Sequence, residues 1–131
     1  MGRSISTFLM FDGVAEEAMN LYVSLFRGSR IARIERYGAG EQGRTGSVKR
    51  AHFTVGGHEL MCSDSQLKHN FSFTPSISLF IDCESVPELD GAFHQLATGG
   101  QVLMPLDDYG FSARFGWVTD RFGVSWQLNF A

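Results

Sequence analysis

The chain has 131 residues, a formal net charge of −3 with its 11 Lys and Arg scattered, and a hydrophobic fraction of 44% that includes 12 Phe. A chain of this length buries roughly two-thirds of its unfolded surface, so folding requires neither disulfide nor metal, and the composition excludes a disordered polymer. With no basic patch, and no apolar run near the N-terminus long enough for a membrane span or signal-peptide core, partners of the nucleic-acid and membrane classes are not expected.

The first element is a short apolar strand over residues 5–11, ISTFLMF. The period then changes in DGVAEEAMNLYVSLFRG, where Val14, Ala18, Leu21, Tyr22 and Leu25 form one helical stripe. Asp12 or Gly13 is the expected cap, Glu16 and Glu17 favour the positive end of the dipole, and Gly28 is the stop. A strand candidate SRIARIERY follows, then a Gly-rich loop over residues 38–46, then a hairpin VKRAHFTV-GG-HELMCSD turning at Gly56-Gly57. Cys62 and Cys83 lie in or beside these apolar segments and read as buried, reduced thiols of a cytoplasmic protein.

After a linker around residues 65–71 the same order returns. FTPSISLFIDC is a strand, with Pro75 tolerable near its start or on an edge. ESVPELDGAFHQLATGG is a helix entered through a Ser85/Glu88 capping box with Pro87 in the first turn, and Gly99-Gly100 ends it. Its apolar stripe is Val86, Leu89, Phe93 and Leu96. A weaker strand near residues 101–105 and a loop lead to the closing hairpin ARFGWVTDRFGVSWQLNF, whose turn at Asp120–Gly123 reads as type I with a left-handed Gly123. Strand–helix–strand–strand–strand thus occurs twice at an offset of about 70 residues, Asp12 matching Asp82 and Gly57 matching Gly123.

Strand phase gives each sheet a second face, turned away from its helix. In the first repeat it carries Ser6, Phe8 and Met10, with His52 opposite Met61 and Thr54 opposite Glu59. In the second it carries Ser76, Ser78, Phe80, Ser125, Gln127 and Asn129, with Trp117 opposite Gln127, while Ile77, Leu79 and Ile81 face the helix. Aromatics and sulfur mixed with small hydrogen-bonding groups suit a cleft around a small molecule; the alternative is a sheet face covered by another subunit or by the second repeat. The candidate ligand-binding residues are Ser6, Phe8, His52, Met61, Ser76, Ser78, Trp117 and Gln127, and His52 with Glu59 is the candidate general base and its orienting carboxylate.

The stretches FLMFDGVAEEAMNLYVSLF, SISLFIDCESVPELD and GWVTDRFGVSWQLNF resemble the PhnB-like branch of the vicinal oxygen chelate superfamily, which includes glyoxalase I, bleomycin-resistance proteins and extradiol dioxygenases. The resemblance implies an α+β fold: one glyoxalase-like domain over residues 1–131, made of two βαβββ modules at about 4–64 and 72–131 whose curled mixed sheets surround a cleft, in a homodimer. Some members of the branch carry the name of a demethylubiquinone methyltransferase.

In metal-dependent relatives the four ligands come from the first and last strands of the modules, positions that fall here on Ser6, Met61, Ser76 and Gln127. Two hydroxyls, a thioether and an amide are poor donors for zinc, nickel or iron, so neither metal nor cofactor is expected. The expected function is binding, with or without transformation, of a small metabolite. The alternatives are sequestration without chemistry, as in bleomycin resistance, and a metal-dependent lyase or dioxygenase with ligands shifted to residues such as His52 and Glu59. GAGEQG at residues 38–43 matches a dinucleotide fingerprint in letters alone, because RTGSVKRAHFTV after it alternates like a strand, and a phosphate cradle needs a helix N-terminus there.

Overall fold

A computed structural model describes residues 2–131, which form two compact units divided between His69 and Asn70. The first contains β1 (Thr7–Phe11), α1 (Ala15–Leu25), β2 (Arg30–Arg36), β3 (Val48–Val55) and β4 (His58–Asp64). The second contains β5 (Leu79–Asp82), α2 (Val86–Ala97), β6 (Gln101–Asp107), β7 (Arg114–Thr119) and β8 (Ser125–Phe130). Each unit is one four-stranded mixed sheet, ordered β1-β4-β3-β2 and β5-β8-β7-β6, with a single parallel pair between its first and last strands. The doubled strand–helix–strand–strand–strand order is therefore as read from the sequence. No helix among the described residues is long and apolar enough to cross a membrane.

In the first unit the buried side chains of α1 are Ala15, Ala18, Met19 and Tyr22, one step round from the expected stripe, so Val14, Leu21 and Leu25 lie at its margin. On the sheet, Leu9, Phe11, Ala51, Phe53, Leu60 and Cys62 are buried as well, and α1 lies against β3 and β4. The expected cap at Asp12 or Gly13 is not used: Val14 is the N-cap and offers no side-chain acceptor. The carboxylate arrives from the far end of β4 instead. Asp64, buried, accepts from Ala15 N at 2.9 Å through Oδ1 and from Val48 N at 3.0 Å through Oδ2, so one side chain satisfies an orphan donor of the helix and a strand donor together. The expected role of Glu16 at the helix start is joined by an exposed bidentate pair with Arg36 on β2, which holds the Glu16 carboxyl below its ordinary pKa.

In the second unit α2 enters as its sequence predicts. Ser85 Oγ accepts from Glu88 N at 3.2 Å, and Glu88 Oε1 in turn accepts from Glu84 N at 2.9 Å. Leu89, Ala92, Phe93 and Leu96 pack on Val118, Trp126 and Leu128. Gly116 on β7 is required by this packing: a Cβ there would stand 2.5 Å from the Phe93 ring and 2.7 Å from Leu106. The closing turn is type I with a G1 bulge, Gly123 N donating to Asp120 O at 3.0 Å and Gly123 at φ +97°.

The strand expected across Ser76, Ile77 and Ser78 begins later, at Leu79. Pro75 and Ser76 form a turn in which Ile77 N donates to Thr74 O and Ser76 pairs with Thr74 Oγ1, so Ile77 is 71% exposed instead of helix-facing. Proline lacks a ladder donor, and the Thr74 hydroxyl offers the backbone a local substitute for a neighbouring strand.

Both thiols are free and buried, and burial raises each to about 12 from an ordinary 9.0, helped at Cys62 by Asp64 and at Cys83 by Glu88. A thiol held more basic when folded binds its proton more tightly in the native state, so its contribution to stability is complete below pH 9.0 and is lost as pH climbs towards 12. The native protein is accordingly expected to be inert to a disulfide reagent near neutral pH, releasing both thiols only when denatured. Rapid reaction of either thiol in the native state would contradict this burial.

Candidate functional site

The helix-free face of the second sheet carries a continuous hydrogen-bonded lane. Register places Trp117 opposite Gln127 and Phe80 opposite Gln127 on the other side, so one row of side chains crosses three strands. Trp117 Nε1 donates to Ser125 Oγ at 2.8 Å, Ser125 Oγ lies 2.7 Å from Ser78 Oγ, and Gln127 Nε2 donates to Ser78 Oγ at 3.2 Å. Ser125 is buried, Ser78, Trp117 and Gln127 are half-buried, and Phe80 is exposed. Ser78, Trp117 and Gln127 are thus brought together as their strand phase predicts. Ser76 is not: it sits on the turn before β5, bonded to Thr74.

The corresponding face of the first sheet is built on the row Phe8, Met61, His52 and Arg33 across β1, β4, β3 and β2. His52 stands opposite Met61 and Thr54 opposite Glu59, the expected register. The expected pairing of His52 with Glu59 is not formed, and His52 Nε2 lies 3.2 Å from Arg33 Nη2 instead. A guanidinium can only donate, so in this hydrogen bond Nε2 is the acceptor. Held this way, Nε2 has its lone pair directed at a cation. Ser6 precedes β1 and is half-buried.

None of the four positions that the resemblance to metal-dependent relatives assigns to metal presents a suitable donor. Met61 offers a thioether, Ser6 and Ser76 offer hydroxyls, and the Gln127 amide nitrogen is committed to Ser78. Among the described residues no three His, Cys, Asp or Glu side chains come together. These residues do not fit a catalytic divalent ion. The loop over residues 38–46 leads into β3 and not a helix, and Gly38 N donates at 2.7 Å to Glu41, which in turn binds Lys49. A phosphate would have to displace that carboxylate.

Sequence reading missed an aromatic group beside the lane. Phe115, on the same face as Trp117, is buried by contact with Phe80, Tyr109 and Phe111, at centroid distances of 6.4, 6.1 and 5.0 Å. Tyr109 and Phe111 come from the 108–113 loop, which has no periodicity to reveal them; the Asp-Asp-Tyr-Gly turn chemistry was the available signal.

The sequence profile of the family described as 3-demethylubiquinone-9 3-methyltransferase matches residues 3–129. The PhnB protein from Bacillus cereus is 53% identical, with a TM-score of 0.95 over 98% of this chain and 100% of that one. Protein PA1353 from Pseudomonas aeruginosa is 30% identical, with a TM-score of 0.84 over 98% of each chain. The fold alone is shared with the fosfomycin resistance protein FosX from Listeria monocytogenes, 12% identical with a TM-score of 0.60 over 98% of this chain and 93% of that one, solved as a mutant with Mn(II) and 1S,2S-dihydroxypropylphosphonic acid.

Proposed function

The chain belongs to the PhnB-like 3-demethylubiquinone-9 3-methyltransferase family, with the vicinal oxygen chelate fold, and from that membership we propose that it binds a small metabolite on the helix-free face of its second sheet without a conventional catalytic metal. The observation that carries this reading is the Ser125–Ser78–Gln127 lane, which ends at a half-buried amide beside the exposed Phe80. A solvated strand face would spend those positions on charged side chains; this one holds short, mutually bonded polar groups next to exposed aromatic surface, the composition of a ligand-lining wall.

Binding is favoured over chemistry by His52, whose Nε2 faces Arg33 and not an orienting carboxylate. Methyl transfer, the activity in the family's description, gains no support from the glycine-rich loop, which closes on its own Glu41. Sequestration of a planar molecule is the second reading, favoured by the exposed Phe80, Tyr109 and Phe111 rings. A cytoplasmic location suits the two unpaired thiols, and a homodimer would cover exposed apolar residues such as Ile5 and Val102.

A metabolite and antibiotic panel screened by calorimetry tests the proposal. Once a ligand is found, Gln127→Ala is expected to weaken it roughly tenfold, the worth of one good buried hydrogen bond, while His52→Ala leaves affinity unchanged. Unchanged affinity in Gln127→Ala would refute the assigned site. Turnover that disappears in His52→Ala would replace binding by catalysis.

A further inference from the structure

We propose that this site, taken as the binding site argued above, selects a protonated arylalkylamine, its ammonium held by Asp82 and its ring laid on Phe80 beside Gln127. The chain's charge is unevenly placed. Residues 70–131 carry seven Asp and Glu against two Arg, a formal net charge of −5, whereas the whole chain stands at −3. Of those two arginines, Arg114 is paired with Asp90 on α2, and Arg121 belongs to the closing turn. No Lys or Arg therefore lies on the helix-free face of β5, β7 and β8, and its ionic side chains are Asp82 at the end of β5 and Asp107, opposite Phe115 on β6. A field of that sign draws cations and repels anions.

Asp82 is exposed and forms no ion pair among the described residues, yet it is held in place. It stands opposite Asn129, whose Nδ2 donates to Asp82 Oδ1 at 2.9 Å. A carboxylate only accepts, so Asn129 must show it the nitrogen; turning this amide would set two acceptors face to face. The remaining oxygen, Asn129 Oδ1, is buried and has no donor among the described residues. Its partial negative charge adds to that of Asp82, and a cation at Asp82 offsets both through space. Spacing supplies the aryl group. Phe80 and Asp82 lie two positions apart on one face of β5, about 6–7 Å at the rise of a strand, which a two-carbon link between ring and ammonium bridges. Phe80 is 54% exposed and leans on Phe115, with Phe111 packed on the other side of that buried ring, so the ring surface costs little ordering on binding. A π face beside a carboxylate favours a cation over a neutral ligand of the same shape.

The probe is tryptamine, with N-acetyltryptamine and indole-3-propionate as controls, each titrated into the full ¹⁵N-labelled chain and into Asp82→Asn, a change of charge at an exposed position that keeps the side chain's shape. Tryptamine is expected to shift the Phe80 backbone and Asn129 side-chain amide signals saturably. Neutralising either partner, by N-acetylation or by Asp82→Asn, is expected to weaken binding at least about tenfold. Indole-3-propionate is expected to leave those signals in place. Equal binding of either control, or of tryptamine to Asp82→Asn, overturns the proposal. So does a tryptamine titration that shifts nothing while another compound of a fragment library shifts Phe80 or Gln127, a result that leaves the binding site standing. If no compound shifts Phe80 or Gln127, the site reading falls too.

Discussion

Asp120→Ala is expected to lower the stability of the protein by about 3 kcal/mol or more, a drop of roughly 10 °C in Tm for a chain of this size. Asp120 is 3% exposed and is an acceptor for three donors: Phe122 N at 2.8 Å and Val124 N at 3.1 Å through Oδ1, and Trp126 Nε1 at 2.9 Å through Oδ2. Alanine leaves the Val124 and Trp126 donors buried and the Phe122 donor part-buried, and a buried orphan costs about 1–3 kcal/mol. Trp126 is fully buried, so its indole cannot turn to water. Asp120→Asn keeps one carboxamide oxygen and is expected to lose an intermediate amount. Combined with Trp126→Phe, Asp120→Ala should cost less than the sum of the two changes, because both break the same bond. Urea denaturation of the four proteins measures this directly, and strict additivity would show that the carboxylate does not hold the indole.

Asp64→Ala should give the second large loss, about 2 kcal/mol or more, from two orphaned backbone donors, Ala15 N and Val48 N. The damage has an address. Amide exchange should accelerate at the first turn of α1 and the start of β3, while the second unit keeps its protection. Uniform acceleration across both units would contradict the local capping role. The two carboxylates do parallel jobs in the two units, each binding backbone N–H groups that its unit's own turns leave over.

The role of Asp64 is not legible in the chain, and the reason is distance. Asp64 caps a helix that starts 49 positions earlier, and sequence signals of capping extend over only a few residues. Ser85 and Glu88 show the converse: the acceptor lies three residues from its donor, and the box was readable before any fold. The same rule sorts the site. That Ser78, Trp117 and Gln127 share a face is legible because alternation fixes which way a strand side chain points, and the hairpin turn fixes the register. Ser76 was misplaced because the turn around Pro75 halts the alternation, and the phase cannot be carried back through it. His52 was assigned to Glu59 because both lie on one hairpin; its actual neighbour, Arg33, comes from β2, whose register shifts between Ile31 and Arg33. A bulge of that kind leaves no mark in residue types.

The chain's two tryptophans offer the most direct test of where the ligand sits. Trp117 donates to Ser125 in the lane, whereas Trp126 is sealed in the core against Asp120. Titration with any small molecule that binds stoichiometrically, followed through the two indole N–H resonances, should move the Trp117 signal and leave that of Trp126 in place. A bound ligand that shifts Trp126 alone, or neither indole, would contradict a binding site on this face.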